Sequence, residues 1–318
     1  MEEMETLDAY SRMTIKQGSK SFAKAALLFD PKTRQSVMML YAWCRYCDDV
    51  IDGQTLGHGQ QQLSMADKLN RLRMLEHETE RICNGKSSQL SAFAALQKVI
   101  QRHGIEKRHL FELLEGFRLD AIEARFHTLN DTLHYCYHVA GVVGVMMARI
   151  MGVQEQEVIY RAADLGIAFQ LSNIARDVRA DLEVGRCYLP EEWLEEKHIA
   201  RQELAYETHQ HVLHALASRL VEYAEPYYGS ARIGLAQLPW RCAWAIASAL
   251  KIYRQIGLQV RTAGSQAWDG RVQVSDAKKL LFLCQGGLAA SVAVCRRKQA
   301  RLQRRSGLWT KPQSAGPV

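Results

Sequence analysis

Proline is scarce in this 318-residue chain: there are six, and none falls between Pro31 and Pro190. So long a stretch without proline, carrying apolar residues at helical spacing and broken by short polar or glycine-containing joints, argues against a sheet and predicts a helical array. Long apolar runs are missing too. Val139–Ala148 is short and Leu280–Val294 is interrupted by Gln285 and two glycines, so neither reaches the ~18–20 residues of a membrane span. The opening MEEMETLDAY has no apolar signal core, and the eight cysteines are scattered. Together they predict a cytoplasmic protein with reduced thiols. Cys44 and Cys47 form a CxxC without a second pair at zinc-ribbon spacing, which favours two small helix positions over a metal knuckle. No G-x-G-x-x-G fingerprint is present, so no nicotinamide cofactor such as NADPH is expected.

What is present describes a folded protein, with 47% hydrophobic and 24% charged residues. Lys and Arg exceed Asp and Glu by 41 to 34, a formal charge of +7, which suits anionic partners: phosphorylated small molecules, nucleic acid or an acidic membrane surface. Much of the excess sits in Arg296, Arg297, Lys298, Arg301, Arg304 and Arg305. Helices are expected near 8–28, 32–52, 64–83, 89–103, 107–126, 131–151, 155–183, 201–225, 231–262 and 276–300. These make one all-α domain over 1–300, followed by a flexible basic and polar tail over 301–318. The stretch GQTLGHGQQQLS (53–64) lacks periodicity and is expected to be a mobile loop able to act as a lid.

The chemistry is concentrated in two helical stripes. In YAWCRYCDDVID (41–52), Tyr41, Arg45, Asp48 and Asp52 share one face, while Trp43, Cys47 and Val50 project from the other. One such pair is weak, because thirteen aspartates in 318 residues give about half an i,i+4 Asp pair by chance. A second stripe strengthens the reading. In FQLSNIARDVRADL (169–182), Gln170, Asn173, Asp177 and Asp181 share a face flanked by Ile167 and Ile174, as in a cavity wall. Facing carboxylates repel one another strongly in a low-dielectric interior and need a cation. Oxygen donors without His or Cys select a hard ion, and Mg²⁺ is commonly shared between a few carboxylates and a phosphate ligand. Arg45 and Arg176, with Ser19, Lys20 and Ser21 at a probable bend, are candidates to meet phosphate charge. In YCYHVAGVVGVMMA (135–148), Gly141 and Gly144 imply close packing or room for a ligand. His134 and His138 lack the glutamate of a zinc helix and are read as packed or exposed histidines.

The combination of SKSF, YAWCRYCDDVID, YCYHVAGVVG and LGIAFQLSNIARDVRADLEVGRCYLP, in this order, resembles the squalene/phytoene synthase family over about residues 8–295. The resemblance implies an all-α isoprenoid-synthase bundle around a central apolar cavity. It also implies Mg²⁺-dependent condensation of two geranylgeranyl diphosphates into forty-carbon phytoene through prephytoene diphosphate, with Mn²⁺ as a substitute metal. By motif position, Asp48 and Asp52 form one acidic metal site and Asn173, Asp177 and Asp181 the other. Ser19, Lys20, Ser21, Arg45, Arg176 and Arg271 correspond to diphosphate-binding positions. Tyr41, Tyr135, Gln170, Tyr188 and Tyr253 correspond to positions near the reacting allyl groups, and Phe22, Val139, Gly144 and Ala168 to positions along the hydrocarbon tunnel. Gly18 departs from a polar residue in some relatives and is given no side-chain role.

Two competing enzymes stay open at this point: a family member that makes thirty-carbon dehydrosqualene or squalene from farnesyl diphosphate, and a terpene cyclase that turns over one substrate molecule. A basic nucleic-acid-binding module fits poorly with paired internal aspartates, so no nucleic-acid partner is expected. The basic cluster at 296–305 predicts peripheral contact with the inner face of an anionic membrane.

Overall fold

The helix bearing the first acidic stripe is set at both ends by its own sequence. Asp30 accepts hydrogen bonds from the amides of Lys32 and Thr33, Pro31 occupies the first helical turn, and Gly53 closes the far end in the left-handed region at φ 65°. Similar caps start other helices: Ser64 accepts from the Asp67 amide, Thr128 and Asp131 form a capping box, and Ser275 accepts from the Lys278 amide.

The structure, a computed structural model, describes residues 2–56, 59, 63–270, 272–297 and 305–311, excluding the side chains of residues 2, 3, 20 and 21. Its helices are α1 (Glu2–Gly18), α2 (Lys20–Ala26), α3 (Pro31–Asp52), α4 (Met65–Cys83), α5 (Ser91–His103), α6 (Lys107–Ala121) and α7 (Leu129–Cys136). A π-helical turn (Tyr137–Gly141) leads into α8 (Val142–Ile150), followed by α9 (Gln156–Glu183), α10 (Glu191–Glu195), α11 (Gln210–Gly234), α12 (Trp240–Ala263) and α13 (Asp276–Cys295). No β-strand occurs among the described residues, so the expected all-α class holds.

Several expected boundaries move. The helix expected over 8–28 is two, because Ser19 turns extended at φ −154° and caps α2 with a bond from the Phe22 amide. The span 201–225 begins instead as short 3₁₀ turns, and α11 continues through Pro226 to Gly234. The helix expected over 131–151 is split by the π-turn. Wide helical turns of this kind are often found at functional sites.

Helix α9 is the spine, packed against α8, α11, α12 and the π-turn. Glycine makes the α8–α9 approach possible: a Cβ on Gly144 would run into the carbonyl of Ala162, and one on Gly166 into the carbonyl of Ala140. Residues on α3, α5, α6 and α8 build one large core, and residues on α9, α11 and the segment after α9 build a second.

Residues 305–311 correct the expectation of a flexible tail at those positions. Arg305 forks onto the fully buried Asp164, Nε to Oδ2 at 2.7 Å and Nη2 to Oδ1 at 2.6 Å. Trp309 packs its ring against Tyr137 and donates through Nε1 to Asn130, while Lys311 pairs with Glu112. Removing one partner of a buried ion pair leaves an uncompensated charge. Arg305→Ala should therefore destabilise the fold by about 3 kcal/mol in urea unfolding, with Asp164→Asn in the same chain recovering part of the loss. Equal stability of Arg305→Ala and the parent would contradict the pairing.

Candidate active site

Two adjoining spaces lie between α3 and α9. The first is an apolar cavity of about 320 Å³, whose walls include Phe22, Tyr41, Val139, Gly144, Phe169 and Tyr253. The second is a wider polar recess of about 1080 Å³, whose walls include Arg45, Asp52, Arg176, Asp177, Asp181 and Arg186. They meet along both helices: Tyr41 and Asn173 face the cavity, and Arg45 and Asp177, one turn further on, face the recess. Gly18 and Ser19, consecutive in sequence, divide between the two in the same way.

The recess is rich in charge of both signs. Arg45 pairs with Asp48 at 3.0 Å and with Asp49 at 2.8 Å. Arg176 pairs with Asp177, and Arg186 reaches from beyond α9 to pair with Asp52 on α3. The last contact joins the two acidic rows. Asp49 also accepts from the Leu56 amide at 2.7 Å, which holds the chain after α3 beside the recess that Gln54 and Leu56 help to line. The remainder of the expected lid falls largely on residues 57, 58 and 60–62, outside the described residues.

Burial, then the neighbouring Asp177, pushes the Asp181 carboxyl up to about 7, against the pull of Arg186. Burial and the neighbouring Asp52 do the same to Asp48, to about 7, with Arg45 opposing; its side chain keeps 41% of its exposure, so water screens part of this effect. The Oδ1 of Asn173 is buried without a hydrogen-bond partner, which is costly unless something else meets it. Carboxylates crowded enough to resist ionisation, beside an orphaned amide oxygen, form a donor set that fits a hard divalent cation. Among the described residues no three His, Cys, Asp or Glu side chains converge as a ligand cluster.

The other expected site residues divide. Phe22 and Tyr41 pair on the cavity wall with centroids 5.5 Å apart, and Tyr253 stacks on Phe169 at 4.1 Å. Gln170, Val139 and Gly144 line the cavity as expected, with Gly144 serving close packing as well. Ser19 lines it too, its Oγ accepting the Phe22 amide. Ala168 does not: it is fully buried in the second core, and the adjacent Phe169 takes the wall position. Tyr135 and Tyr188 line neither space. Their rings stack at 4.7 Å and both hydroxyls donate to Asp120. The side chains of Lys20 and Ser21, and all of Arg271, lie outside the described residues. A Cβ on Gly18 would stand 2.5 Å from the Tyr41 hydroxyl, so this position needs glycine for space.

Asp120 and Arg186 were not singled out from the sequence. Asp120 sits alone on α6 with no i,i+4 acidic partner, and Arg186 was quoted only inside a longer motif, so neither carried a pattern of its own. Asp120 is pushed up to about 6 by burial, with Arg186 pulling the other way and Asp52 adding to the push.

The Squalene/phytoene synthase family profile matches residues 15–278. The chain belongs to the squalene/phytoene synthase family. Within this family it is 51% identical over 300 residues to a 15-cis-phytoene synthase of Pantoea ananas, covering 94% of this chain and 96% of that one. It is 47% identical to a 15-cis-phytoene synthase of Paracoccus sp. (strain N81106 / MBIC 01143), covering 98% and 100%. A solved dehydrosqualene synthase in complex with ligand superposes with a TM-score of 0.81 at 31% identity, covering 92% of this chain and 99% of that one.

The raised carboxyls give a stability signature that separates function from folding. A carboxyl whose folded-state pKa lies above its unfolded value keeps its proton longer when folded, so stability falls as pH rises through that window. For Asp181 the window runs from its ordinary value of 3.8 to about 7. Asp181→Asn should raise the thermal midpoint at pH 8 in EDTA, give no gain at pH 4, and lower turnover at least ~100-fold. Parent-like turnover would remove Asp181 from the chemistry.

Proposed function

We propose that this chain is a phytoene synthase that joins two molecules of geranylgeranyl diphosphate. The enzyme is a prenyltransferase, and the observation that carries the reading is the apolar cavity opening directly beneath a recess of paired acids and arginines. A diphosphate fits the recess, where Arg45, Arg176 and Arg186 meet its charge. The prenyl chain fits the cavity, whose walls keep water from an allylic cation. The aromatic pairs Phe22–Tyr41 and Phe169–Tyr253 present ring faces able to stabilise such a cation.

Asp48, Asp52, Asn173, Asp177 and Asp181 are the residues that would hold Mg²⁺. When bound, the ion supplies positive charge where the departing diphosphate develops its negative charge. In the coupling, the allylic C–O bond of one substrate breaks and diphosphate leaves with the electron pair. The double bond of the second substrate attacks the resulting cation, and proton loss closes the cyclopropane of prephytoene diphosphate. A second ionisation, rearrangement and final proton loss give phytoene with no change that needs a reductant.

Purified protein incubated with Mg²⁺ and geranylgeranyl diphosphate should release a forty-carbon hydrocarbon, with the same yield with or without NADPH and none in EDTA. Product from farnesyl diphosphate alone would favour the thirty-carbon reading, and a cyclic twenty-carbon product would favour a terpene cyclase.

The same reading includes peripheral contact with the inner face of an anionic membrane, and the geometry favours α13 over the basic tail as its carrier. Leu280, Leu281, Leu288 and Val292 are exposed along α13, which by length and composition alone could cross a bilayer and which is mostly unburied. Arg296 lies exposed just past its end. Of the six basic residues first assigned to lipid, Arg305 is buried on Asp164 and Arg297 donates to the carbonyls of Ala236 and Leu238. Lys298, Arg301 and Arg304 lie outside the described residues. Replacing Leu280, Leu281 and Leu288 by glutamine should abolish co-sedimentation with vesicles containing phosphatidylglycerol. Unchanged sedimentation would discard α13 as the contact.

A further inference from the structure

We propose that residues 305–311 form a strap that fixes the blind end of the apolar cavity and thereby sets the longest prenyl chain the enzyme accepts. The inference rests on the prenyl-coupling function argued above.

The cavity runs along α9 from Asn173 to Val158, a helical rise of about 22 Å. Its far end is unusual for a hydrocarbon site because a buried arginine, Arg161, forms part of the wall. Arg161 donates through Nη1 to the carbonyl and hydroxyl of Ser230 at 3.3 and 3.2 Å, and the Ser230 hydroxyl donates to Asp164 at 2.6 Å. Behind Asp164 stands Arg305 of the strap, bonded to both carboxylate oxygens. Ser230 adjoins Ala231, another wall residue. The strap thus reaches the cavity through one intervening layer.

Its remaining contacts grip both sides of that end. The Arg305 amide donates to Glu157 on α9 and the Trp309 amide to the Tyr227 hydroxyl on α11. The Trp309 ring lies against Tyr137, which opens the π-turn that supplies Val139 and Ala140 to the opposite wall. Arg305 also donates to Thr310 within the strap at 2.6 Å, which fixes its guanidinium.

Arg161 already exerts a favourable field on Asp164. Without Arg305, the guanidinium of Arg161, held to Asp164 through Ser230, takes over the buried carboxylate, and its turn toward Asp164 draws it out of the cavity wall. The blind end then lengthens. The polar recess, about four helical turns away along α9, keeps its arrangement.

The test compares Arg305→Ala and Arg305→Lys with the parent, using fifteen-, twenty- and twenty-five-carbon prenyl diphosphates as competing substrates with Mg²⁺. In Arg305→Ala the ratio of kcat/KM for the twenty-five- over the twenty-carbon substrate should rise at least ~10-fold. Arg305→Lys, which keeps the charge but loses the fork, should fall between Arg305→Ala and the parent. Should Arg305→Ala fail to fold, Arg305→Lys decides, because it leaves a cation available to Asp164. Ratios within about twofold of the parent in any folded variant that lacks the fork overturn the strap. A parent that couples no prenyl diphosphate overturns the functional reading and this inference with it, an outcome separate from an unchanged ratio.

Discussion

The structure depends on repulsion that is held in place. Acidic side chains on α3 and α9 are gathered around one recess, and the protein offsets their mutual cost with arginines: Arg45 on Asp48 and Asp49, Arg176 on Asp177, Arg186 on Asp52. Even so, Asp48 and Asp181 remain pushed up toward neutrality, chiefly by burial. A site in this condition gains from any ligand that brings positive charge to the carboxylates together with negative charge for the arginines. A divalent cation arriving with a diphosphate would supply both, so the charge pattern that costs the fold stability would become the source of binding.

The apolar cavity beneath exists because helices approach closely around it. Gly144 and Gly166 let α9 meet α8 and the π-turn backbone to backbone, and larger residues there would separate the helices that form the walls. Two aromatic pairs line the cavity below the charged recess, the tilted Phe22 with Tyr41 and the stacked Phe169 with Tyr253. On the proposed function, the diphosphate end and the hydrocarbon end of one substrate would fall in different solvents within a few helical turns.

Much of this was legible in the chain. The i,i+4 aspartates and their one-turn helpers placed Asp52, Asp177 and Asp181 at one recess because helical spacing fixes which side chains share a face. Caps at Asp30 and Gly53 made the boundaries of α3 readable to within a residue. Periodicity was silent on other points. It could not reveal Asp120, whose partners Tyr135 and Tyr188 come from elements distant in sequence, or Arg186, whose partner lies on α3. The family resemblance placed Ala168 along the tunnel, whereas it is buried in the second core and the adjacent Phe169 takes the wall, a distinction that only packing reveals. Charge clustering placed Arg305 in a flexible, membrane-facing basic tail, because nothing local announces that Asp164 is buried and pairs with it.

If the acids and arginines form one site, its cation and diphosphate must bind together. Calorimetric titration of Mg²⁺ into the protein, with and without inorganic diphosphate, tests it most directly. Each should strengthen the other at least ~10-fold, reciprocally, and Asp52→Asn should remove most of the coupling. Independent binding of the two, with affinities unchanged by each other's presence, would contradict it.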